Sequence, residues 1–293
     1  MRVLVTGAAG QLGTALRHAS AEGFTFIWTD ITGQDMLPLD ITEPTAVDAF
    51  VDEHEIDAVV NCAGFTNVDA AENSSSSALA LNATAVVNLA SAIKRRGGLI
   101  VHISTDYIFG GEPHTEPIPE WEKPSPMNVY GITKLRGEEA VKASGARYVI
   151  LRTAWLYSPW GKNFVKTILS LSADRDRLRV VCDQIGSPTY APDLASMIIT
   201  VLSSYRDGTL VDDTYNYTGG GSCSWYEFAR EIVRLSGNTQ CAVTPCKTGE
   251  YPAKAARPAY SVLDKTLVKE TFGIEIPRWE DSLRRCISAI LES

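Results

Sequence analysis

A tyrosine and a lysine four positions apart carry the most distinctive chemistry in the sequence. Tyr130 and Lys134 lie in NVYGITKLRGEEAV, a stretch of helical character in which residues at i and i+4 share a face. A free phenol has a pKa of about 10, and lowering that pKa by roughly 3 units needs about 4 kcal/mol of preferential stabilisation of the phenolate. A neighbouring ammonium can supply part of it. The pair predicts a phenol that acts as an acid near neutral pH.

A run of reactive side chains follows a buried strand elsewhere in the chain. The segment STDYIFGG, residues 104–111, comes directly after the apolar run LIVHI. Because side chains alternate along a strand, only one of Ser104 and Thr105 can face a site, and we favour Thr105. Thr105, Tyr130 and Lys134 form the predicted catalytic group, in which the hydroxyl bonds a substrate oxygen while the phenol protonates it. The alternative is that these hydroxyls only cap the strand turn.

Three glycines at three-residue spacing follow the first apolar run. VLVTGAAGQLG places Gly7, Gly10 and Gly13 after a predicted strand and ahead of a helix. Such a turn needs a residue without Cβ clashes, and a pyrophosphate needs the backbone amides of Gly10, Gln11 and Leu12 at the helix N-terminus. The pattern predicts a dinucleotide-binding turn; a merely tight strand-to-helix turn is the alternative.

The second predicted strand ends at Asp30, about twenty residues after the glycines, where a carboxylate would bond ribose hydroxyls. Its charge would repel the 2'-phosphate of NADP and so favours NAD, although cationic side chains from elsewhere leave both NADH and NADPH open. Asp40 and Ile41 could flank the adenine. Ligands of doubly wound sheets bind along the carboxyl edge, where another strand ends in Ala63, Gly64 and Phe65.

The elements that must position these residues alternate between short apolar runs and helical periodicity, which predicts an α/β fold with a Rossmann-type doubly wound parallel sheet. Strands are predicted at RVLVT, FTFIWTD, DAVVNC, LIVHIS, YVILRTAWLY, RVVCDQ and TYNYTG. Helices are predicted over residues 75–96, from Glu43-Pro44, and from Ser224, where Ser-x-x-Glu forms a capping box.

The alternation breaks down after about residue 155, where prolines and aromatic residues become frequent. We therefore expect an NAD(P)-binding domain over residues 1–155, to which later segments near 178–218 return. Residues 156–293 are expected to form mainly a smaller, interleaved C-terminal substrate-binding lobe over the strand ends.

Composition limits the other classes of function. The chain has 293 residues, a formal charge of -8 and 45% hydrophobic residues, which argues against a nucleic-acid surface. It begins MRVLVTGAAG, without room for a signal peptide, and no apolar run approaches the length of a membrane helix. The six cysteines show no metal-type spacing, so reduced thiols are favoured over a Cys241–Cys246 bridge. We expect a cytoplasmic protein, monomeric or homodimeric.

The motifs occur in an order that resembles the extended short-chain dehydrogenase/reductase family, over essentially the whole chain. They are the glycine turn, STDYIFGG, PMNVYGITKLRGE, LRTAWLY, DQIGSPTYAPDLA and RPAYSVLD. The most selective of them resemble the members that reduce the 4-keto group of a dTDP-linked deoxy sugar with NADH or NADPH. A nucleotide-sugar substrate is therefore implied, with Tyr130 as proton donor, Lys134 as its pKa-lowering partner and ribose ligand, and Thr105 as third member.

The resemblance also bears on the substrate pocket. Asp106 and Trp155 are similar to residues that line the sugar pocket in this family. For Arg257, guanidinium chemistry suggests a partner for the substrate diphosphate, and a structural or surface arginine is the alternative. Some relatives hold a magnesium ion near the position of Asp193, but Pro192 departs from their pattern, so no metal is expected.

Two rivals share the fold. Nucleotide-sugar dehydratases carry Thr-Asp-Glu where this chain has Thr105, Asp106 and Tyr107, and a tyrosine cannot replace that glutamate near neutral pH without a large pKa shift. Epimerases share the glycines and the Tyr/Lys pair, and they differ from a reductase in leaving the cofactor unchanged overall. A non-catalytic NAD(P)-binding regulatory subunit is the second rival, and the intact catalytic group argues against it.

Overall fold

The structure is a computed structural model and describes residues 1–19, 21–33 and 35–292. The strands in chain order are β1 (Arg2–Thr6), β2 (Thr25–Asp30), β3 (Leu37–Pro38), β4 (Ala58–Asn61), β5 (Leu99–Thr105), β6 (Arg147–Thr153), β7 (Leu156–Tyr157), β8 (Arg177–Val181), β9 (Ile185–Gly186), β10 (Thr189–Tyr190), β11 (Asp213–Asn216), β12 (Cys223–Ser224) and β13 (Ala242–Cys246). Seven of them form one parallel sheet in the order β11-β6-β5-β4-β1-β2-β3. The doubly wound fold predicted from the sequence is confirmed.

Helices cover both faces of this sheet. The α-helices in chain order are α1 (Gln11–His18), α2 (Pro44–Glu53), α3 (Val68–Ala71), α4 (Ser75–Leu79), α5 (Ala85–Arg95), α6 (Val129–Ser144), α7 (Phe164–Asp174), α8 (Ala191–Arg206), α9 (Trp225–Leu235), α10 (Thr266–Phe272) and α11 (Trp279–Leu291). One core layer packs α1 and α8 against the sheet, and the opposite layer packs α2, α5 and α6. The near-continuous apolar strands are buried between the two layers, as a parallel sheet requires.

The switch in strand order fixes where a ligand can bind. Strand β1 pairs with β2 on one side and with β4 on the other, so the connections from β1 and β4 leave in opposite directions. In open α/β sheets the crevice at the carboxyl end of such a switch point is the ligand site. The glycine turn, which directly follows β1, lies at this edge.

Two strand predictions need correction. YVILRTAWLY splits into β6 and β7 at Trp155, whose φ of 48° lies in the left-handed region and interrupts the extended backbone. RVVCDQ does not join the large sheet, because β8 pairs with β13 in a separate two-stranded sheet. The part of residues 178–218 that reaches the large sheet is therefore α8 and β11. The boundary at residue 155 stays a prediction.

The predicted helix starting at residue 75 is present, with an irregular centre. Residues Ala80–Thr84 form a π-helical turn between α4 and α5. Contrary to the sequence prediction, Ser75–Arg95 is long and apolar enough to span a membrane by length and composition, with a mean hydropathy of 1.4. Half of it is buried inside the protein, where α5 packs against β4 and β5, so it is a core helix. The capping box at Ser224 is also confirmed.

Candidate active site

A cleft of about 720 Å³ runs along the carboxyl edge of the large sheet. It joins segments that are far apart in sequence: the glycine turn, the ends of β2, β4, β5 and β6, the start of α6 and the segment before α7. The predicted site residues that line it are Gly7, Gly10, Gln11, Leu12, Asp30, Asp40, Ile41, Ala63, Gly64, Thr105, Asp106, Tyr130, Lys134 and Trp155. Gly13, Phe65 and Arg257 are not among the lining residues.

The glycine turn is shaped by close backbone packing. Gly7 has φ of 66°, and a Cβ on it would lie 2.6 Å from the amide nitrogen of Ala63. A Cβ on Gly13 would overlap Ala8, so this glycine allows α1 to approach the turn instead of touching a ligand. Gly10 caps α1 without a side-chain bond, which leaves the first amides of the helix directed to the cleft. These amides and the helix dipole suit a pyrophosphate.

The acidic residues at the far end of the cleft are held by backbone groups. The carboxylate of Asp30 accepts from the amide of Ala9 at 3.0 Å and from that of Ile31 at 2.8 Å. Asp40 accepts from the hydroxyl and amide of Thr42, and these bonds lower the pKa of Asp40. The lowered pKa keeps Asp40 charged near neutral pH, and the hydrogen bonds hold both carboxylates in fixed orientations.

Tyr130 is presented to the cleft by the first turn of α6. Asn128 caps that helix by accepting from the amide of Gly131 at 2.8 Å, and its own amide donates to the carbonyl of Ala256 at 2.8 Å. Burial raises the pKa of Tyr130 to about 12, while a hydrogen bond with Thr105 acts in the opposite direction. The chain's own residues do not produce the lowered pKa predicted from the Tyr-Lys spacing, because desolvation of the phenolate dominates; lowering with a bound cationic nicotinamide stays a prediction.

The ammonium of Lys134 points to backbone and to a histidine. Its Nζ donates to the carbonyl of Ile103 at 2.5 Å and lies 3.4 Å from Nε2 of His102. Burial lowers the pKa of Lys134 to about 8, and the charge of Glu138 opposes this shift. The contact with the main chain of β5 holds the ammonium in the cleft, which Tyr130 also lines from the preceding turn of α6.

Sequence reasoning missed a buried polar chain behind Lys134. Nδ1 of His102 lies 3.2 Å from Nδ2 of Asn61, and Oδ1 of Asn61 accepts from the hydroxyl of Thr6 at 2.8 Å. The chain connects Thr6, next to the glycine turn, with Lys134. His102 looked like an interruption of an apolar strand, and only its position within that run could have pointed to it.

Asn82 was missed as well, and it lies in the π-helical turn between α4 and α5. Its side chain accepts from the amide of Phe65 at 2.8 Å and donates to the carbonyl of Phe65 and to the hydroxyl of Thr133. The side chain of Asn82 thus connects the backbone of Phe65, which follows β4, with Thr133 on α6. A π-helical turn at a functional site is common, but no sequence pattern signals it.

Asp106 is a buried carboxylate at the cleft, and one of its oxygens has no hydrogen-bond partner. Its side chain is 1% exposed, Oδ1 accepts from the hydroxyl of Thr105 at 3.1 Å, and Oδ2 has no hydrogen-bond partner. Burial raises the pKa of Asp106 to about 6, although hydrogen bonding acts in the opposite direction. A free buried acceptor at a cleft is suited to a hydroxyl group of a ligand.

This burial gives Asp106 a measurable effect on stability. Because its pKa is higher in the folded state, the folded protein binds more protons between about pH 4 and pH 6. The favourable contribution is fully present below the unfolded pKa and is lost as pH rises through about 6, which amounts to about 3 kcal/mol. We expect the free energy of unfolding of Asp106→Asn to rise by that amount, relative to the native protein, between pH 4 and pH 7. The free energies of unfolding come from urea titrations at each pH. If they changed with pH in parallel for the variant and the native protein, the prediction would be contradicted. Asp174→Asn, at an exposed position, is the control and should follow the native protein.

Two tryptophans form one wall of the cleft. The rings of Trp155 and Trp225 are stacked, with centroids 3.5 Å apart and an interplanar angle of 9°. A Cβ on residue 186 would lie 2.6 Å from Cε2 of Trp155, so only a glycine fits there. Gly186 and Trp225 thus both pack against the indole ring of Trp155 at the cleft.

Arg257 is engaged outside the cleft lining. It forms an ion pair with Asp69 at 2.8 Å and donates to the carbonyl of Ala255 at 3.0 Å. A substrate diphosphate would have to draw the guanidinium away from that carboxylate. Asp193 is likewise paired, with the Nη2 of Arg285 at 2.7 Å.

Comparison with known proteins covers the whole molecule. A family model described as RmlD substrate binding domain matches residues 1–292. A dTDP-4-dehydrorhamnose reductase from Burkholderia thailandensis is 38% identical over 307 positions, covering 99% of this chain and 99% of that protein. A solved dTDP-4-dehydrorhamnose reductase from Clostridium acetobutylicum is 43% identical with a TM-score of 0.92, covering 99% of this chain and 100% of the other. Another, from Bacillus anthracis in complex with NADP, is 38% identical with a TM-score of 0.88, covering 98% and 99%.

The doubly wound sheet, the glycine turn and the cleft beside them are those of the extended short-chain dehydrogenase/reductase class, and the matched relatives are reductases. The match to the family model supports a more specific assignment. The chain belongs to the RmlD substrate-binding-domain family, to which the motif order had pointed.

Proposed function

We propose that the protein reduces the 4-keto group of dTDP-4-dehydro-L-rhamnose to give dTDP-L-rhamnose, with NADH or NADPH as cofactor. The observation that carries the proposal is the meeting of Thr105, Tyr130 and Lys134 in the cleft that also contains the glycine turn. The dTDP-4-dehydrorhamnose reductases that match over nearly the full length support the substrate.

The residues present fit a dinucleotide cofactor. The turn at Gly7 leaves no room for a Cβ, the amides at the start of α1 lack a side-chain cap, and Asp30 stands at the ribose end. The cofactor, when bound, supplies the hydride. Lys134 would bond the ribose hydroxyls with the ammonium hydrogens that Ile103 leaves free.

The chain's own residues orient the substrate and supply the proton. Thr105 turns its one hydroxyl hydrogen from Oδ1 of Asp106 to the carbonyl oxygen of the substrate and so orients that oxygen toward Tyr130. Tyr130 is protonated at neutral pH, since burial raises its pKa to about 12, and its proton passes to the alkoxide oxygen, which is far more basic. Oδ2 of Asp106 accepts a hydroxyl of the sugar, and the wall made by Trp155 and Trp225 packs against its apolar side.

The decisive experiment mixes purified protein with dTDP-4-dehydro-L-rhamnose and NADH or NADPH and follows absorbance at the reduced-cofactor band. One equivalent of cofactor oxidised per equivalent of sugar supports the proposal. An epimerase would convert the sugar without net oxidation, and a regulatory subunit would bind the cofactor without turnover. Either result would refute the reductase assignment.

The acidic end of the cleft predicts a preference for NADH. Asp30 and Asp40 line the cleft, and neither forms an ion pair with a cationic side chain among the described residues. We expect kcat/KM to be about tenfold higher with NADH than with NADPH, because a 2'-phosphate meets uncompensated negative charge. Asp30→Ser should narrow this ratio, while Asp174→Asn, remote from the cleft, should not. Equal kcat/KM values for the two cofactors in the native protein would contradict the prediction.

We further infer that the protein works in the cytoplasm and that residues 1–155, with α8 and β11, form the cofactor-binding part. The core formed by α7, α9 and α11 supports a separate substrate-binding lobe, since its buried residues pack together apart from the large sheet. The nucleotide sugar would bind between the two.

A further inference from the structure

A short segment from the second half of the chain crosses over to the helix that follows the glycine turn. Residues 158–163, with the sequence SPWGKN, link β7 to α7. Oε1 of Gln11, the first residue of α1, accepts from the hydroxyl of Ser158 at 3.0 Å and from the amide of Asn163 at 2.9 Å. The side chain of one residue of the phosphate turn thus anchors both ends of the segment.

Further contacts make this arrangement specific. The ring of Trp160 stacks on that of His18 on α1, with centroids 4.8 Å apart and an interplanar angle of 2°. Gly161 has φ of 66°, and a Cβ on it would lie 3.2 Å from Cγ of Gln11. The segment is therefore pressed against the start of α1 by a turn that favours glycine.

This geometry carries Lys162 to the cleft beside the phosphate turn. Gly161, Lys162 and Asn163 all line the cleft, and the side chain of Lys162 is exposed and makes no ion pair within the described residues. The other lysine of the lining, Lys134, is buried and bonded to the carbonyl of Ile103. The glycine turn itself, GAAGQLG, contains no charged side chain.

We propose that Lys162 is the cationic ligand of the cofactor diphosphate and that the anchoring of residues 158–163 on α1 positions it there. The inference rests on the cofactor part of the proposed function. A diphosphate carries two negative charges that helix amides neutralise only in part, and a flexible ammonium at the same place completes the neutralisation. The segment would also link the substrate-binding lobe to the bound cofactor.

The test measures binding rather than turnover. Titration of purified protein with NADH, followed by quenching of tryptophan fluorescence, gives Kd for the native protein, Lys162→Met and the exposed control Lys269→Met on α10. We expect Lys162→Met to raise Kd about tenfold and to weaken its salt dependence, because a charge-assisted contact is lost. Lys162→Arg should keep most of the affinity, and Lys269→Met should match the native protein. Circular dichroism checks that each variant is folded.

The possible failures are distinguishable. If the native protein binds NADH and Lys162→Met binds it equally well, Lys162 is not a diphosphate ligand. If Lys162→Met loses affinity for dTDP while its Kd for NADH is unchanged, the lysine serves the substrate, and the inference is again overturned. A native protein that binds neither NADH nor NADPH would instead overturn the cofactor site itself.

Discussion

Replacing Tyr130 with phenylalanine should lower kcat by about three orders of magnitude, within the range that general acid catalysis contributes. The phenyl ring can keep the edge-to-face contact with Tyr107, whose ring centroid lies 5.4 Å away, so the shape of the cleft should survive. The substitution removes only the phenolic hydroxyl, which is the proton donor. The Kd for NADH should therefore stay within a fewfold of the native value, since a removed donor acts on the transition state and not on cofactor binding.

The measurement compares steady-state turnover of the keto sugar with the Kd for NADH in the same preparations. Tyr148→Phe is the matched control. Tyr148 lies near the amino end of β6, whereas the cleft lies at the carboxyl edge of the sheet, and Tyr148 does not line it. Tyr148→Phe should retain native turnover. Turnover of Tyr130→Phe equal to that of the native protein would refute the assigned role, whereas a large rise in Kd would show that the phenol serves binding.

The elements that the sequence could predict are those with local signals. The glycine turn, the apolar strands and the capping box at Ser224 each depend on a few neighbouring residues, and the structure contains all three. The convergence of Tyr130, Lys134 and Thr105 at one cleft could also be anticipated, because parallel strands end at a common edge.

What the sequence could not provide depends on burial and on distant pairing. The spacing of Tyr130 and Lys134 suggested a lowered phenol pKa, but the direction is set by desolvation, which only the packed structure reveals. The pairing of β8 with β13 joins segments about sixty residues apart, and local apolarity does not specify the partner strand. The ion pair of Arg257 with Asp69 is a contact of the same kind.

The second large effect concerns stability and comes from a buried ion pair between α6 and β6. Glu138 and Arg152 are 1% and 2% exposed and form two bonds, at 2.9 Å and 2.8 Å. Ser104 donates to Glu138 at 2.6 Å, and Arg152 donates to the carbonyl of Glu120 at 2.8 Å. The network ties β5, β6 and α6 together directly below Lys134.

Glu138→Gln should lower the free energy of unfolding by about 3 to 5 kcal/mol, because it leaves a buried guanidinium without a countercharge. Urea unfolding at pH 7 measures the change, and Glu139→Gln, at the next and exposed position of α6, should cost less than about 0.5 kcal/mol. The double variant Glu138→Leu with Arg152→Met should be more stable than Glu138→Leu alone, since it removes the unpaired charge. If Glu138→Gln cost no more than Glu139→Gln, the buried pair would not hold α6 in place.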